Sequence, residues 1–213
     1  MGEHSADVAP KGKAAPRRTS IGGRRNPASA SAILEAAEAI LSETGLAGFS
    51  IEAVARRAGA GKPTIYRWWP NRSALLMDVY ARQKETVLRV DTGTLEGDLV
   101  ELLTRLFAFW RDTPAGATFR SIIAEAQSDP ASLAALQSFL ADRRAYVGEV
   151  VARGIARGDL PPKADLPSLV ELIFGFAWMR LLTGDIAAPD ADHVPDALPA
   201  RVRLLLRGAA ATA

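Results

Sequence analysis

Apolar residues recur at three- and four-residue spacing along most of this chain, and nowhere alternate with period two for long enough to build a sheet. Ala32, Ile33, Ala36, Ala37, Ile40 and Leu41 form one stripe, predicting a first helix that starts after Ser29 or Ser31 and stops near Gly45. Ser50 is placed to cap a short second helix in which Ile51, Val54, Ala55 and Ala58 share a face, and Gly59 and Gly61 break it. A third helix is expected from about Lys62 to Trp69. Pro63 is tolerable only in its first turn, because proline lacks an N–H and fixes φ. Ser73 opens a fourth helix carrying Leu75, Leu76, Val79, Tyr80 and Val87.

The apolar pattern lengthens beyond Asp91. Leu95, Leu99, Leu102, Leu103, Leu106, Phe107 and Trp110 predict a long helix ending near Thr113-Pro114, and Phe119, Ile122, Ile123 and Ala126 a shorter one. Leu133, Leu136, Phe139, Leu140, Tyr146, Val147, Val150, Val151 and Ile155 predict another, closed by Gly158. Leu169, Leu172, Ile173, Phe176, Ala177, Arg180 and Leu181 mark an eighth, and Leu198, Val202, Leu205 and Leu206 a ninth. The fold class is therefore all-α, with about nine helices.

Composition narrows the chemistry. Of 213 residues, 48% are hydrophobic, enough for a substantial core. The absence of cysteine removes disulfides, zinc–thiolate sites and cysteine nucleophiles, and two isolated histidines, His4 and His193, offer no cluster for a metal or a triad. No pair of acids or activated nucleophile stands out, so an enzyme is disfavoured. No apolar run approaches the roughly 20 residues of a membrane span, and the first residues lack the apolar middle of a signal peptide. A cytoplasmic protein with no membrane partner is expected.

Net charge is only +2, but it is unevenly placed. Residues 1–27 hold six Lys/Arg against two acids, residues 28–90 eight against six, and residues 91–213 twelve against sixteen. A basic front on an acidic back points to a polyanion met by the front alone. Five cations and no acid lie between Arg56 and Arg72. Within that stretch, Gly59-Ala60-Gly61-Lys62-Pro63-Thr64 brings a nucleotide-binding loop to mind. Yet Arg56 stands where its first glycine belongs, Pro63 removes an N–H from the helix start, and an amphipathic helix precedes it instead of a strand. A helix of two turns, a glycine turn and a second short helix instead make a helix-turn-helix, whose second helix enters the major groove of DNA. Ile65 and Trp69 would face inward. Lys62, Thr64, Arg67 and Trp68 point elsewhere, with Pro63 and Tyr66 at the margins, against phosphates, base edges and thymine methyls.

At these residues the chain resembles the TetR family of bacterial transcriptional regulators. The match runs over about residues 30–80: an Ala-rich first helix, Gly45, Phe49-Ser50, Val54-Ala55, Ala58-Gly59, Lys62 to Tyr66, an aromatic at Trp69, then Arg72, Ala74 and Leu75. Gly61 stands where a capping Ser is usual, Pro63 where a small residue is usual, and Trp68-Trp69 replaces a His-Phe pair, so base preference cannot be carried over. The resemblance implies phosphate contacts by Ser50, Tyr66 and Arg72, a homodimer on a double-stranded DNA operator, and a small-molecule effector. Ser50 is open to capping, phosphate contact or both, and Trp68 to groove contact or packing on the first helix. Arg17, Arg18, Arg24 and Arg25 belong to a flexible basic arm, residues 1–27, that either lies along DNA or merely solubilises the chain.

By the same resemblance, residues 28–90 form a DNA-binding domain with a connecting fourth helix, and residues 91–213 an effector-binding and dimerisation domain. Most aromatics there will be core, but an effector cavity among helices four to seven would be lined by Phe107, Trp110, Phe119, Ile122 and Tyr146. Arg120, Glu125, Arg143 and Arg144 are either polar handles or solvated charge. Leu169, Ile173, Phe176 and Arg180 on the eighth helix, with Val202 and Leu205 on the ninth, are candidates for the dimer face or for packing inside the monomer. The reading is a ligand-responsive repressor. An architectural DNA binder without effector is the main alternative.

Overall fold

A computed structural model describes residues 27–84, 89–186 and 197–211. Nine α-helices and no strand occupy the described residues: α1 Pro27–Gly48, α2 Ile51–Ala58, α3 Lys62–Trp68, α4 Arg72–Lys84, α5 Leu95–Asp112, α6 Ala115–Ala126, α7 Pro130–Arg157, α8 Leu166–Thr183 and α9 Ala197–Ala211. The expectations for the arginines of the N-terminal arm, for His4 and His193, and for Val87 fall outside those residues.

The helices form where the apolar stripes put them, but their ends obey local chemistry the stripes do not carry. Pro27 occupies the first turn of α1, a position that needs no donor. Neither Ser29 nor Ser31 is therefore the cap, and Ser31 donates instead to Glu35 Oε1 at 2.7 Å. Helical geometry breaks at Gly45, whose φ of +64° suits only glycine well, and a last turn continues to Gly48. Asn71 caps α4, its Oδ1 accepting from the Ala74 N–H at 2.8 Å. Ser73, expected in that role, is instead buried inside the first turn.

Two packed groups share one continuous apolar core. In the first, α1, α2 and α3 close around Ile33, Ala37, Val54, Ile65 and Trp69, all almost inaccessible. In the second, α5 to α9 pack around Leu99, Leu103, Phe119, Val150, Leu169 and Val202. Helix α4 belongs to both. Arg82 reaches back to Glu35 and Glu38 of α1 at 3.7 and 3.5 Å, while Leu75, Leu76, Val79 and Tyr80 are fully buried. Tyr80 stacks on Phe119 of α6, with ring centroids 4.6 Å apart and planes 9° from parallel.

Among the described residues, α8 is the one helix long and apolar enough to cross a membrane by length and composition alone. Glu171 and Arg180 interrupt its apolar run. Its apolar residues divide between two faces: Leu169, Val170, Ile173, Ala177 and Leu181 lie in the core, whereas Leu172, Met179 and Leu182 are at least half exposed.

Candidate nucleic-acid interface

The turn between α2 and α3 is built by glycine. Gly59 takes φ +60°, its N–H closing on the Ala55 and Arg56 carbonyls, and the Ala60 N–H returns to the Ala55 carbonyl at 3.0 Å. Satisfying these carbonyls stops α2 sharply and lets α3 begin across it after three residues. At the start of α3, Gly61 contributes no side-chain cap and Pro63 sits in the first turn. Ile65 is wholly buried and Trp69 nearly so, with Trp69 Nε1 donating to Asp78 of α4 at 2.7 Å. One face of α3 is thus anchored and cannot turn.

The anchored face decides what the other presents. Lys62, Pro63, Tyr66 and Arg67 are exposed, and Thr64 is half-buried. Lys62 Nζ lies 2.8 Å from Glu52 Oε1. That hydrogen bond, then the charge of Glu52, holds the ammonium above its usual range. Both partners are about half exposed, so solvent screens the pair and phosphate can replace the carboxylate at little cost. Arg67 has no acid within ion-pair distance among the described residues. Trp68 is half-buried against the core and meets Trp69 edge-on at 5.8 Å. Ser50 caps α2, its Oγ accepting from the Ala53 N–H at 3.1 Å. A hydroxyl that accepts retains its O–H for donation, so the cap leaves a phosphate donor in place.

Arg72, at the mouth of α4, is held by α6. Its Nη1 donates to Glu125 Oε1 at 2.6 Å and to Ser121 Oγ at 3.5 Å, and its guanidinium lies over the Phe49 ring at 5.4 Å. Ser73 Oγ donates to the other Glu125 oxygen. Beside this latch, Asn71 Nδ2 reaches Asp129 Oδ2 and Ser132 Oγ at 2.9 and 3.0 Å. The first turn of α4 is therefore fastened to the α6–α7 corner. Glu125 and a phosphate would compete for this guanidinium.

A cavity of about 50 Å³ lies between α5, α6, α7 and α8. Of the residues expected there, Trp110, Phe119 and Tyr146 are on its wall, joined by Arg143, Phe174 and Trp178. Phe107 and Ile122 are not. Ile122 is fully buried elsewhere in the core, and Phe107 turns toward Phe176 of α8. At the expected dimer face, Leu169, Ile173 and Val202 are each at most 3% exposed within the monomer. They are core residues and cannot meet a partner. Phe176, Arg180 and Leu205 are partly buried; Arg180 lies over the Phe107 and Phe176 rings and pairs with Asp185 at 3.2 Å. The open apolar stripe consists instead of Leu172, Met179 and Leu182 on α8 and Leu204 on α9. Leu172, Met179 and Leu182, spaced seven and three residues apart along α8, were the signal for it.

Residues 33–79 match the model of the bacterial regulatory proteins of the tetR family, and residues 89–198 that of the tetracyclin repressor-like C-terminal domain. The HTH-type transcriptional regulator YdeS of Bacillus subtilis (strain 168) is 32% identical over 167 residues, covering 77% of this chain and 84% of YdeS. The chain belongs to the TetR family. As a member it is a helix-turn-helix transcriptional regulator, not an enzyme. AqdR of Rhodococcus erythropolis, another HTH-type transcriptional regulator, is 28% identical over 144 residues, 67% of this chain and 69% of AqdR. Among solved structures, the TetR family regulator SCO0332 superimposes with a TM-score of 0.72 at 31% identity, over 84% of this chain and 97% of that one. FadR from Bacillus subtilis, solved in complex with stearoyl-CoA, shares the fold with a TM-score of 0.53 at 19% identity, over 84% of this chain and 98% of FadR.

Proposed function

We propose that this TetR-family regulator is a cytoplasmic, homodimeric repressor that an effector releases from its operator. The observation carrying the reading is the division of α3 into an anchored apolar face and an outward face of Lys62, Thr64, Tyr66 and Arg67. Two such helices, one per protomer, would occupy major grooves about 34–36 Å apart on a near-palindromic site. In this reading Arg67 suits guanine O6 and N7, at about 1–3 kcal/mol of discrimination per bidentate pair. Lys62, Ser50 and Tyr66 hold phosphate, and Pro63, Thr64 and Trp68 meet the groove edge. Residues 28–90 then act as reading head and lever, and residues 91–213 as effector and dimer module.

Dimerisation would bury the exposed stripe of Leu172, Met179 and Leu182 against its symmetry mate, with Leu204 alongside. Gly175, on the same face, has open space where a Cβ would stand, which favours close approach of a second helix. The effector would enter the aromatic cavity; a ligand in the FadR complex supports this fold as one that accommodates small molecules. Coupling then runs from Phe119 and Trp110 on the cavity wall to Tyr80 of α4, and from α6 through Glu125 to Arg72 and Ser73. A ligand binding one arrangement of these contacts better shifts the dimer toward it and resets the spacing of the reading heads.

The small volume of the cavity favours a second reading, a DNA binder without effector. Selection of bound sequences from random duplex, repeated with a metabolite extract, tests both. A repressor yields a near-palindromic site, a steep loss of affinity with salt, and release by extract. Binding that the extract never relieves favours the second reading. Binding indifferent to sequence overturns the regulator's reading head as described.

A further inference from the structure

The cavity between α5 and α8 is chemically one-sided. Its wall is aromatic and aliphatic apart from Arg143, and no Asp or Glu lines it. Arg143 Nε is shielded from solvent and has no hydrogen-bond partner. Its guanidinium carbon lies 5.1 Å from the centre of the Phe139 ring. Arg144, next along α7, stands over Phe174 at 5.9 Å, and Phe174 is itself part of the wall. A buried cationic N–H without an acceptor is costly, and an arriving anion recovers that cost. The planar fork of arginine fits a carboxylate through two parallel hydrogen bonds. Trp110 Nε1, another donor on the wall, is taken by Tyr80 Oη at 2.8 Å. Burial pushes the Tyr80 phenol up, so it stays neutral and adds no competing anion.

The shape of the cavity limits what the anion can be. Trp110 stacks on Phe119, with ring centroids 6.2 Å apart and planes 15° from parallel, while Trp178 stands edge-on to Phe119 at 85°. A void of about 50 Å³ admits a ring only as its wall opens, and a long chain needs more room still. Leu140, Tyr146 and Phe174 are only partly buried and can yield at the α7–α8 mouth. We infer that the cavity selects a compact arene carboxylate, its ring against Trp110 and Phe119 and its carboxylate on Arg143. The inference rests on the effector reading above, naming its ligand class.

Isothermal titration of the full chain with 2-naphthoate, its neutral isostere 2-naphthamide and the chain acid decanoate tests it. The expected result is naphthoate binding at least tenfold tighter than either, with Arg143→Gln bringing acid and amide within twofold of each other and Arg144→Gln retaining the preference. Should Arg143→Gln fail to fold, the wild-type preference for acid over amide still decides. Equal binding of acid and amide, tighter binding of decanoate, no binding of any probe, or an unchanged preference in Arg143→Gln each overturns the inference. Operator release measured in parallel separates the two claims. If the extract releases the operator while no arene acid binds, the effector reading stands and this ligand class falls. If the acid binds through Arg143 while neither acid nor extract releases the operator, the site stands and the effector reading falls.

Discussion

Replacing Glu125 by Gln tests whether the latch on α4 competes with DNA. Glu125 is the shared acceptor for Arg72 and Ser73. Its side chain is 37% exposed, that of Arg72 30%, and Ser73 only 1%. A glutamine keeps one acceptor oxygen. The buried Ser73 hydroxyl has no water to turn to and will claim that oxygen, leaving the amide NH2 toward the guanidinium. The change therefore removes one charge-assisted bond. Such bonds contribute about 1.5–3 kcal/mol when protected; partial exposure brings this one nearer 1 kcal/mol. In a chain of this size the thermal midpoint should fall by about 2–4 °C. Arg72, released at the mouth of α4, becomes available to phosphate. Each added contact steepens log K against log salt by about 0.9, or about 1.8 for a dimer. Scanning calorimetry and operator binding between 50 and 300 mM salt, a range of about sixfold, read both effects. A lower midpoint with an unchanged salt slope would make Arg72 a structural tie with no access to DNA. An unchanged midpoint would refute the latch itself.

Three further outcomes follow from other contacts. Tyr80→Phe leaves the buried Trp110 Nε1 without its acceptor and should cost about 1–3 kcal/mol; urea denaturation showing no loss would contradict the pairing. Met179→Glu puts a charge on the exposed α8 stripe, so sedimentation should show a folded monomer, and a dimer of unchanged affinity would remove α8 from the interface. Asp98 is fully buried, and burial, the largest influence, pushes its carboxyl up. The hydrogen bond from Arg157, the bonds from Thr92 and the charge of Arg157 together outweigh that and hold it below the usual range. A depressed folded value means stability that is complete above the unfolded value of about 4 and lost as pH falls through the folded one. Asp98→Asn should therefore be less stable at pH 7 but lose about one proton's worth less stability below pH 4, and parallel acid limbs in the two proteins would refute the assignment.

Helical periodicity made most of the architecture legible, because a bundle's stripes are local and each helix shows its buried face in its own residues. Ile65 and Trp69, four apart, marked the inward side of α3, and what that side left over defined the candidate reading face. Helix ends were less legible. Pro27 and Asn71 won the starts of α1 and α4 over nearby serines through single hydrogen-bond or φ preferences that a period does not register. The α8 face was misread because both of its faces are apolar: Leu169 and Ile173 look like Leu172 and Met179 until the partner helices are placed. The tie on Arg72 was illegible in the sequence for a reason of longer range. Its partner, Glu125, lies 53 residues away, and only the packing of α4 on α6 brings them together.

Operator affinity of a Lys62→Ala/Arg67→Ala double variant, measured against wild type at one salt concentration and again across a salt series, tests the reading face most directly. Both side chains are exposed on the surface, so the variant should fold as the wild type does. The account predicts a loss of at least about 30-fold, from two contacts of at least about 1 kcal/mol each, with a shallower salt slope. Undiminished binding by a folded variant would contradict it.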